Sequence, residues 1–441
     1  MTKSSDTSMR AAWIATILFT AIYTLHSVDR FVISVVIEPI RHEFKLSDTQ
    51  LGTLAGMAHA LAYSVFVLPI GWLLDRFNRT RLLSLMLGVW SGITMLGALA
   101  TGYWHLFAAR FGVGAAESAT SPAIQSLIAS LFPTKGRASA MGVVFSGVAI
   151  GTGIVFALGG TIADTRGWRA VFLIAGFPGI VLAVVTWLLI KEPDRGNAKV
   201  GVPDNAVPMS QVLAFVLKSP PIVFSILGLT FVSMCVASVW TWITPLLIRQ
   251  HGFSLTRAGF VVGLAAGLMK FISTFASGFL ADWIAKGRIN YLWIVPTCAL
   301  SLSLPAAIGI EFGLTDGLVV AFTMLLGFTL GTHYAAPRAV IVSVTPARMR
   351  GSVSSIEQLM VNLFGAGMGP LITGFISDSV GGKDSVGLAL VATLCLNLLA
   401  ALCFFLASRG ARDIEADIRS EPGAKIDVAH PENGVPAPGR R

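Results

Sequence analysis

Charge is scarce in this chain. Asp, Glu, Lys and Arg together make up 12% of its 441 residues, while hydrophobic residues make up 54%. Soluble domains carry about 25% charge, so an ordinary soluble fold is excluded and a polytopic membrane protein is implied. Cysteine is scarce as well. All four (Cys235, Cys298, Cys395 and Cys403) fall inside apolar runs, where they read as small hydrophobic residues, not as a disulfide framework or a metal site. The motifs of energy-consuming and hydrolytic chemistry are missing too. Without a P-loop, a Gly-x-Ser-x-Gly elbow or a His-Glu-x-x-His pair, neither an ATP-driven pump nor a membrane hydrolase is supported. The chain is therefore read as a non-enzyme without a cofactor or a bound metal, in which a proton is the only coupling species required.

What is present is apolar length. Runs of about 20 residues can be marked at roughly 12–38, 50–74, 82–101, 104–132, 138–163, 168–190, 221–248, 256–281, 290–311, 317–344, 352–377 and 385–408. They predict an all-α integral membrane protein of twelve transmembrane helices. The net charge of +9 invites a nucleic-acid reading, but most Lys and Arg lie in the loops on the side that holds both termini. That distribution follows the positive-inside rule and places both termini in the cytoplasm, with no nucleic-acid partner. The expected location is a bacterial inner (plasma) membrane. The first span is too long for a signal-peptide core and no processing is expected. The expected organisation is an N-terminal segment over about 1–11 and a six-helix half over about 12–190. A Pro-rich linker over about 191–220, a second half over about 221–408 and a disordered cytoplasmic tail over about 409–441 follow.

The first span carries Asp29 and Arg30 roughly 12 Å inside its Ile37 end. Charges at that depth are costly; they either mark an ion or substrate path or lock two helices together. In the fourth span Arg110 and Glu117 are two helical turns apart and share one face. Arg110 falls level with Asp29 and Glu117 near the midplane, which predicts an Asp29–Arg110 contact with Glu117 below it. A carboxylate from which a guanidinium moves away can take up a proton, whereas arginine does not release one. Asp29 and Glu117 are thus the candidate proton carriers, with Arg30 and Arg110 as counter-ions or anion binders. Lys270, mid-span in the eighth helix, meets an anionic substrate or snorkels along its helix. Tyr63 in the second span is placed with the substrate-binding set. Arg338 and Glu357 lie at similar depths and read as a gate pair. His26, His59 and His333 read as isolated hydrogen-bonding residues. Trp240 and Trp242 form either an aromatic lid over an amphipathic substrate, which puts Trp240 in the binding set, or an interfacial belt.

The second span ends in Gly71-Trp-Leu-Leu-Asp75-Arg76-Phe-Asn78-Arg79-Thr80-Arg81, and Gly278-Phe-Leu-Ala-Asp282-Trp283-Ile-Ala-Lys286-Gly287-Arg288 closes the eighth. Pro133-Thr-Lys-Gly-Arg137 before the fifth span is similarly matched by Pro346-Ala-Arg-Met-Arg350 before the eleventh. The two loops resemble the one between the second and third helices of the major facilitator superfamily. Asn78 replaces a glycine of that pattern. The resemblance implies two pseudo-symmetric six-helix halves that rock about a central cavity. It also implies a cytoplasmic gate containing Asp75, Arg76, Arg79, Arg137 and Asp282. Asp-Arg in the first helix, the Arg110 to Glu117 spacing and Lys191-Glu-Pro-Asp-Arg-Gly196 are similar to the spinster-like branch, with the anion:cation symporters as near neighbours. This implies proton-coupled transport of a lipid-like amphipathic anion, such as a lysolipid or sphingoid phosphate. The alternative is proton symport of a small organic acid. Either would be carried by a monomer whose partners are substrate and bilayer. The Gly-Pro that marks the fifth helix of many drug:proton antiporters is absent, which disfavours drug efflux.

Overall fold

A computed structural model of the chain describes residues 2–193, 207–285, 291, 293–333 and 335–420. Among these residues ten helices are long and apolar enough to cross a membrane: Met9–Val35, Asp48–Arg76, Arg79–Leu99, Gly136–Arg166, Trp168–Leu189, Pro220–Arg249, Leu255–Ala281, Ile294–Glu311, Arg350–Val380 and Ser385–Gly410. The remaining two spans are interrupted. The fourth is Tyr103–Glu117 followed by Thr120–Leu131, and the tenth is Asp316–Thr329 followed by Ala335–Val344. The chain therefore has its twelve expected spans, and the described residues contain no strand. Both interruptions share a cause. Pro122 and Pro337 lack the N–H that would bond the carbonyl four residues back, at Ser118 and His333.

Several boundaries differ from the expected ones. The first helix already begins at Thr2, so the polar lead-in is helical, and the last helix runs on to Ser420 instead of ending near 408. Extending an existing helix needs no new nucleus, so polar residues join it readily. The rest of the tail, and residues 194–206 of the linker, lie outside the described residues; the linker's later part contains the helix Met209–Lys218. Ser47 starts the second span through a capping box with Gln50, and Asn78 caps the third by accepting from the Arg81 N–H at 2.8 Å. Three spans carry a wide π-helical turn: Thr53–Met57 in the second, Leu264–Met269 in the eighth and Met360–Gly367 in the eleventh.

Within each half the packing repeats. The first span lies on the fifth, the second on the fourth and the third on the sixth; likewise the seventh lies on the eleventh, the eighth on the tenth and the ninth on the twelfth. The halves meet along two seams, second against eleventh and fifth against eighth. Both seams are made by glycine at the end of the molecule remote from the termini. A Cβ on Gly56 would lie 2.6 Å from the Gly367 carbonyl oxygen, and one on Gly267 would lie 2.8 Å from the Gly153 Cα. Toward the end that carries the termini the same four helices separate. A Cβ on Gly71, Gly142, Gly278 or Gly351 would meet no atom within 4 Å. The apolar core follows this division. One buried cluster joins both halves at the remote end, from Val32, Ile37 and Phe156 to Trp242, Val262 and Leu390. A second, containing Phe19, Trp90, Leu127 and Phe132, belongs to the first half alone.

Candidate functional site

The polar centre of the first half forms around the interruption of the fourth span. Glu117 is the last residue before it and has no exposed surface. Its carboxylate meets two imidazoles: His59 Nε2 of the second span lies 2.8 Å from Oε2, and His26 Nδ1 of the first lies 3.1 Å from the same atom. The first is a hydrogen bond; the second is at ion-pair distance without hydrogen-bond alignment. A Cβ at Gly114 would lie 3.1 Å from the His59 Cα, so glycine there lets the second span approach closely enough for the contact. Two of the three isolated histidines of the sequence reading, His26 and His59, are thus neighbours of one carboxylate. Their convergence was invisible because the three residues come from three helices.

Asp29 is equally buried, at 1% exposure, but its carboxylate does not pair with Arg110. Arg110 instead donates from Nη1 to the Asp29 carbonyl at 2.8 Å and from Nη2 to the Arg30 carbonyl at 3.3 Å. The expected contact between these residues exists, but through the backbone. Arg110 is a fork that fastens the fourth span to the first. The Asp29 side chain faces Trp90 and Thr94 of the third span.

Arg30 and Tyr63 are half-buried, and Tyr63 stacks on His59 at 6.1 Å between ring centroids. In the second half Lys270 is half-buried immediately after the wide turn of the eighth span, and His333 is buried within reach of its charge. Arg338 Nε donates to Glu357 Oε1 at 2.9 Å, joining the tenth and eleventh spans. Trp240 does not belong with this set. It is 1% exposed, while Trp242 is fully buried and donates to the Pro370 carbonyl at 2.9 Å. Neither a lid nor an interfacial belt describes them. They are core residues of the seventh span, because that helix is packed on many sides.

The remote end is closed by a polar latch absent from the sequence reading. Arg249, ending the seventh span, donates from Nε to Glu38 at 2.6 Å and makes a two-pronged bond to Asp48 at 2.8 and 2.9 Å. Asp378, near the end of the eleventh span, accepts the backbone N–H groups of Asp48 and Thr49 at the start of the second at 2.9 and 2.8 Å. Asp164, near the end of the fifth, accepts the Thr256 N–H at the start of the eighth at 2.9 Å and its hydroxyl at 2.6 Å. At the other end Asp75 and Arg76 are exposed, and Arg76 stacks on Trp72 at 3.9 Å. Arg79 is turned into the first half. It is buried within the first half, bonded to Glu192 at 2.7 Å and to Ser126 and Ser130 of the fourth span. Arg137 donates to the Phe132 carbonyl at 3.0 Å, a local bond. The side chain of Asp282 lies outside the described residues.

Twelve helices in two repeated halves, sealed at one end, parted at the other and holding buried carboxylates at the centre, define a membrane transport protein. The chain belongs to the Major Facilitator Superfamily, whose family model matches residues 19–356. It is a secondary transporter and not an enzyme. It is 30% identical to an MFS-type efflux pump of Mycolicibacterium smegmatis, covering 93% of this chain and 96% of that one. It is 26% identical to the hexuronate transporter of Bacillus subtilis, covering 84% and 90%. Among solved structures it is similar to a bacterial homologue of the human lysosomal transporter Spinster in an inward-facing, unoccupied conformation, with a TM-score of 0.82 and 26% identity over 91% of this chain and 98% of that one. The spinster-like and anion-transporter resemblances both hold.

Proposed function

We propose that the chain couples proton movement to the transport of an amphipathic organic anion by alternating access, and that the conformation described is inward-open. The observation that carries the coupling is Glu117, a carboxylate with no exposed surface whose carboxylate contacts are two imidazoles, rings with one nitrogen that can accept a proton and one that can donate. Arg30 and Lys270, half-buried on opposite halves, support an anionic substrate. The excess of basic residues at the terminal end supports its placement in the cytoplasm, and hence the inward-open assignment.

An amphipathic anion of the lysolipid or sphingoid phosphate class is favoured by the parted inner ends of the fifth and eighth spans. There Phe271, Phe275 and Phe279 of the eighth are exposed one turn apart, the first two 4.8 Å between centroids. An apolar opening of this kind admits a chain from the side. A small sugar acid is the second reading, favoured by the likeness to the hexuronate transporter. Thermal-stability shifts with lysophosphatidate, sphingosine phosphate, glucuronate and galactonate separate the two, because a ligand of the folded state raises its stability. Stabilisation by the sugar acids alone overturns the lipid assignment. In proteoliposomes Asp29→Asn and Glu117→Gln are each expected to abolish pH-gradient-driven flux of the stabilising ligand. Undiminished flux in both removes proton coupling through these carboxylates.

A further inference from the structure

The buried carboxylate raises a question of access. A group that carries a proton across a membrane must exchange it with water on one side at a time, yet Glu117 has no exposed surface and the His59 side chain has 6%. Of the two imidazoles in contact with the Glu117 carboxylate, His26, at 14%, has the larger accessible surface. Its Nδ1, the atom beside the carboxylate, is itself buried. The accessible part of the side chain therefore lies away from Glu117. The first span packs against the second, fourth, fifth, sixth and seventh, and His26 lies beside Glu117 of the fourth and next to Tyr23, which touches Phe145 of the fifth; on that placement its accessible part is assigned to the space between the halves. That space is parted toward the terminal end.

We propose that His26 is the relay through which Glu117 exchanges its proton with the cavity in this conformation, an assignment that rests on the proton-coupled reading above. Imidazole suits the task because it accepts a proton on one ring nitrogen and gives one up from the other. A hydronium ion in the cavity gives a proton to Nε2 and remains as water, the proton on Nδ1 passes to Glu117 Oε2, and neutral imidazole remains with its tautomer exchanged. The reverse transfer, in which Glu117 gives a proton to Nδ1 and Nε2 releases one to cavity water, restores the starting tautomer. No charge is left on the ring, and the 3.1 Å separation requires only a small reorientation to become a hydrogen bond. His59 has a different part, since its aligned 2.8 Å bond and its stacking on Tyr63 hold the carboxylate in place.

The charged and titratable groups around this pair come from three helices. Tyr23, Asp29 and Arg30 share the first span with His26; His59 and Tyr63 face it from the second, and Arg110 shares the fourth with Glu117. Of these, Tyr23 is the ring packed on His26, at 5.9 Å between centroids, and it is also 5.3 Å from Phe145 of the fifth span. Tyr23 thus fixes the outer edge of the relay and leaves the imidazole as the passage.

The test needs no knowledge of the substrate. Purified transporter in detergent is given a pH jump in the presence of the dye pyranine, and proton uptake is followed by stopped flow. A slow uptake phase that is present in the native protein and missing in Glu117→Gln reports Glu117. In His26→Gln that phase is expected to persist but to slow on the order of 100-fold, the lower end for removal of a positioned proton-transfer group. Added imidazole should restore its rate in proportion to concentration. Retention of the full rate in His26→Gln, or a slowing that imidazole leaves untouched, overturns the relay. If native protein and Glu117→Gln show the same uptake, the proton-coupled reading itself fails, a result distinct from either of those.

Discussion

The carboxylate of Asp378 sits on the first turn of the second span, where it accepts the N–H groups of Asp48 and Thr49. Asp164 makes the matching contact at Thr256 in the other seam. The first turn of a helix offers N–H groups without intrahelical partners and the positive end of the dipole, so each aspartate closes one helix of the opposite half. Both contacts join the halves and can exist only while the remote end is shut. They are made by the fifth and eleventh spans onto the eighth and second. The same helix pairs carry, at their other ends, the Asp75 and Asp282 loops.

Asp378→Ala and Asp164→Ala are expected to bias the protein toward the form open at the remote end. A carboxylate at a helix terminus contributes about 0.3–1 kcal/mol, and up to about 2 kcal/mol when partly buried. Spin-label distances across the remote end should lengthen in each variant and more in the double variant, since well-separated sites add. An unchanged distance distribution in the double variant would mean that the Arg249 fork alone holds the closure.

Arg110→Ala is expected to destabilise the first half, by about 1–3 kcal/mol for each buried carbonyl left unsatisfied. Arg110→Lys should recover little, because a single ammonium cannot span the carbonyls of Asp29 and Arg30 as a planar fork does. Thermal unfolding in detergent checks this. A lysine variant of native stability would show that charge, not geometry, is what the position supplies.

Asp75→Ala is expected to shift the protein further toward the form parted at the terminal end. Asp75 is expected to reach the start of the eleventh helix, near Gly351 and Ser352, once that end closes. Spin labels on the terminal ends of the second and eleventh spans should show a longer average separation. If the separation stays as in the native protein, the loop is not a latch.

Glu192 fastens the linker to the third span. Burial opposes its ionisation, but the Thr80 N–H at 3.0 Å and the Arg79 guanidinium at 2.7 Å outweigh it and hold the carboxyl below the usual range. A depressed folded-state value contributes stability above the unfolded value of about 4.3, which is lost as pH falls through the folded one. Glu192→Gln should therefore be less stable than native protein at neutral pH and equally stable in acid. Parallel stability curves down to low pH would contradict the assignment.

Much of this architecture was legible in the chain, and what was not has a common reason. Apolar length located twelve spans and the repeated loops paired the halves, because both are local properties of sequence. The union of His26, His59 and Glu117 depends on three helices crossing at one depth, and no spacing along the chain encodes it. Arg249, Glu38 and Asp48 looked like ordinary charges near helix ends, and only the folded seam makes them a latch. Arg110 was located correctly but assigned the wrong acceptor, since depth along a helix does not distinguish a carboxylate from the carbonyl of the same residue. Trp240 shows the opposite error. Aromatic residues near the end of a span suggest an interface only until neighbouring helices cover them.

The wide turns at Thr53–Met57, Leu264–Met269 and Met360–Gly367 divide three of the four seam helices into two rotors on one shaft. A wide turn accommodates an additional residue, and one residue corresponds to about 100° of helical azimuth. The arm on each side keeps its own regular period but not a common bearing, so the far arm can hold its glycines against the opposite half whatever the near arm presents. Tightening such a turn would swing the near arm by about 100°, and in the eighth span it would carry Lys270 with it without any change of sequence. Deleting one residue from such a turn makes the same rotation permanent: the far seam stays in register, while every side chain beyond that turn, Asp75 for the turn of the second span, is delivered to a different neighbour.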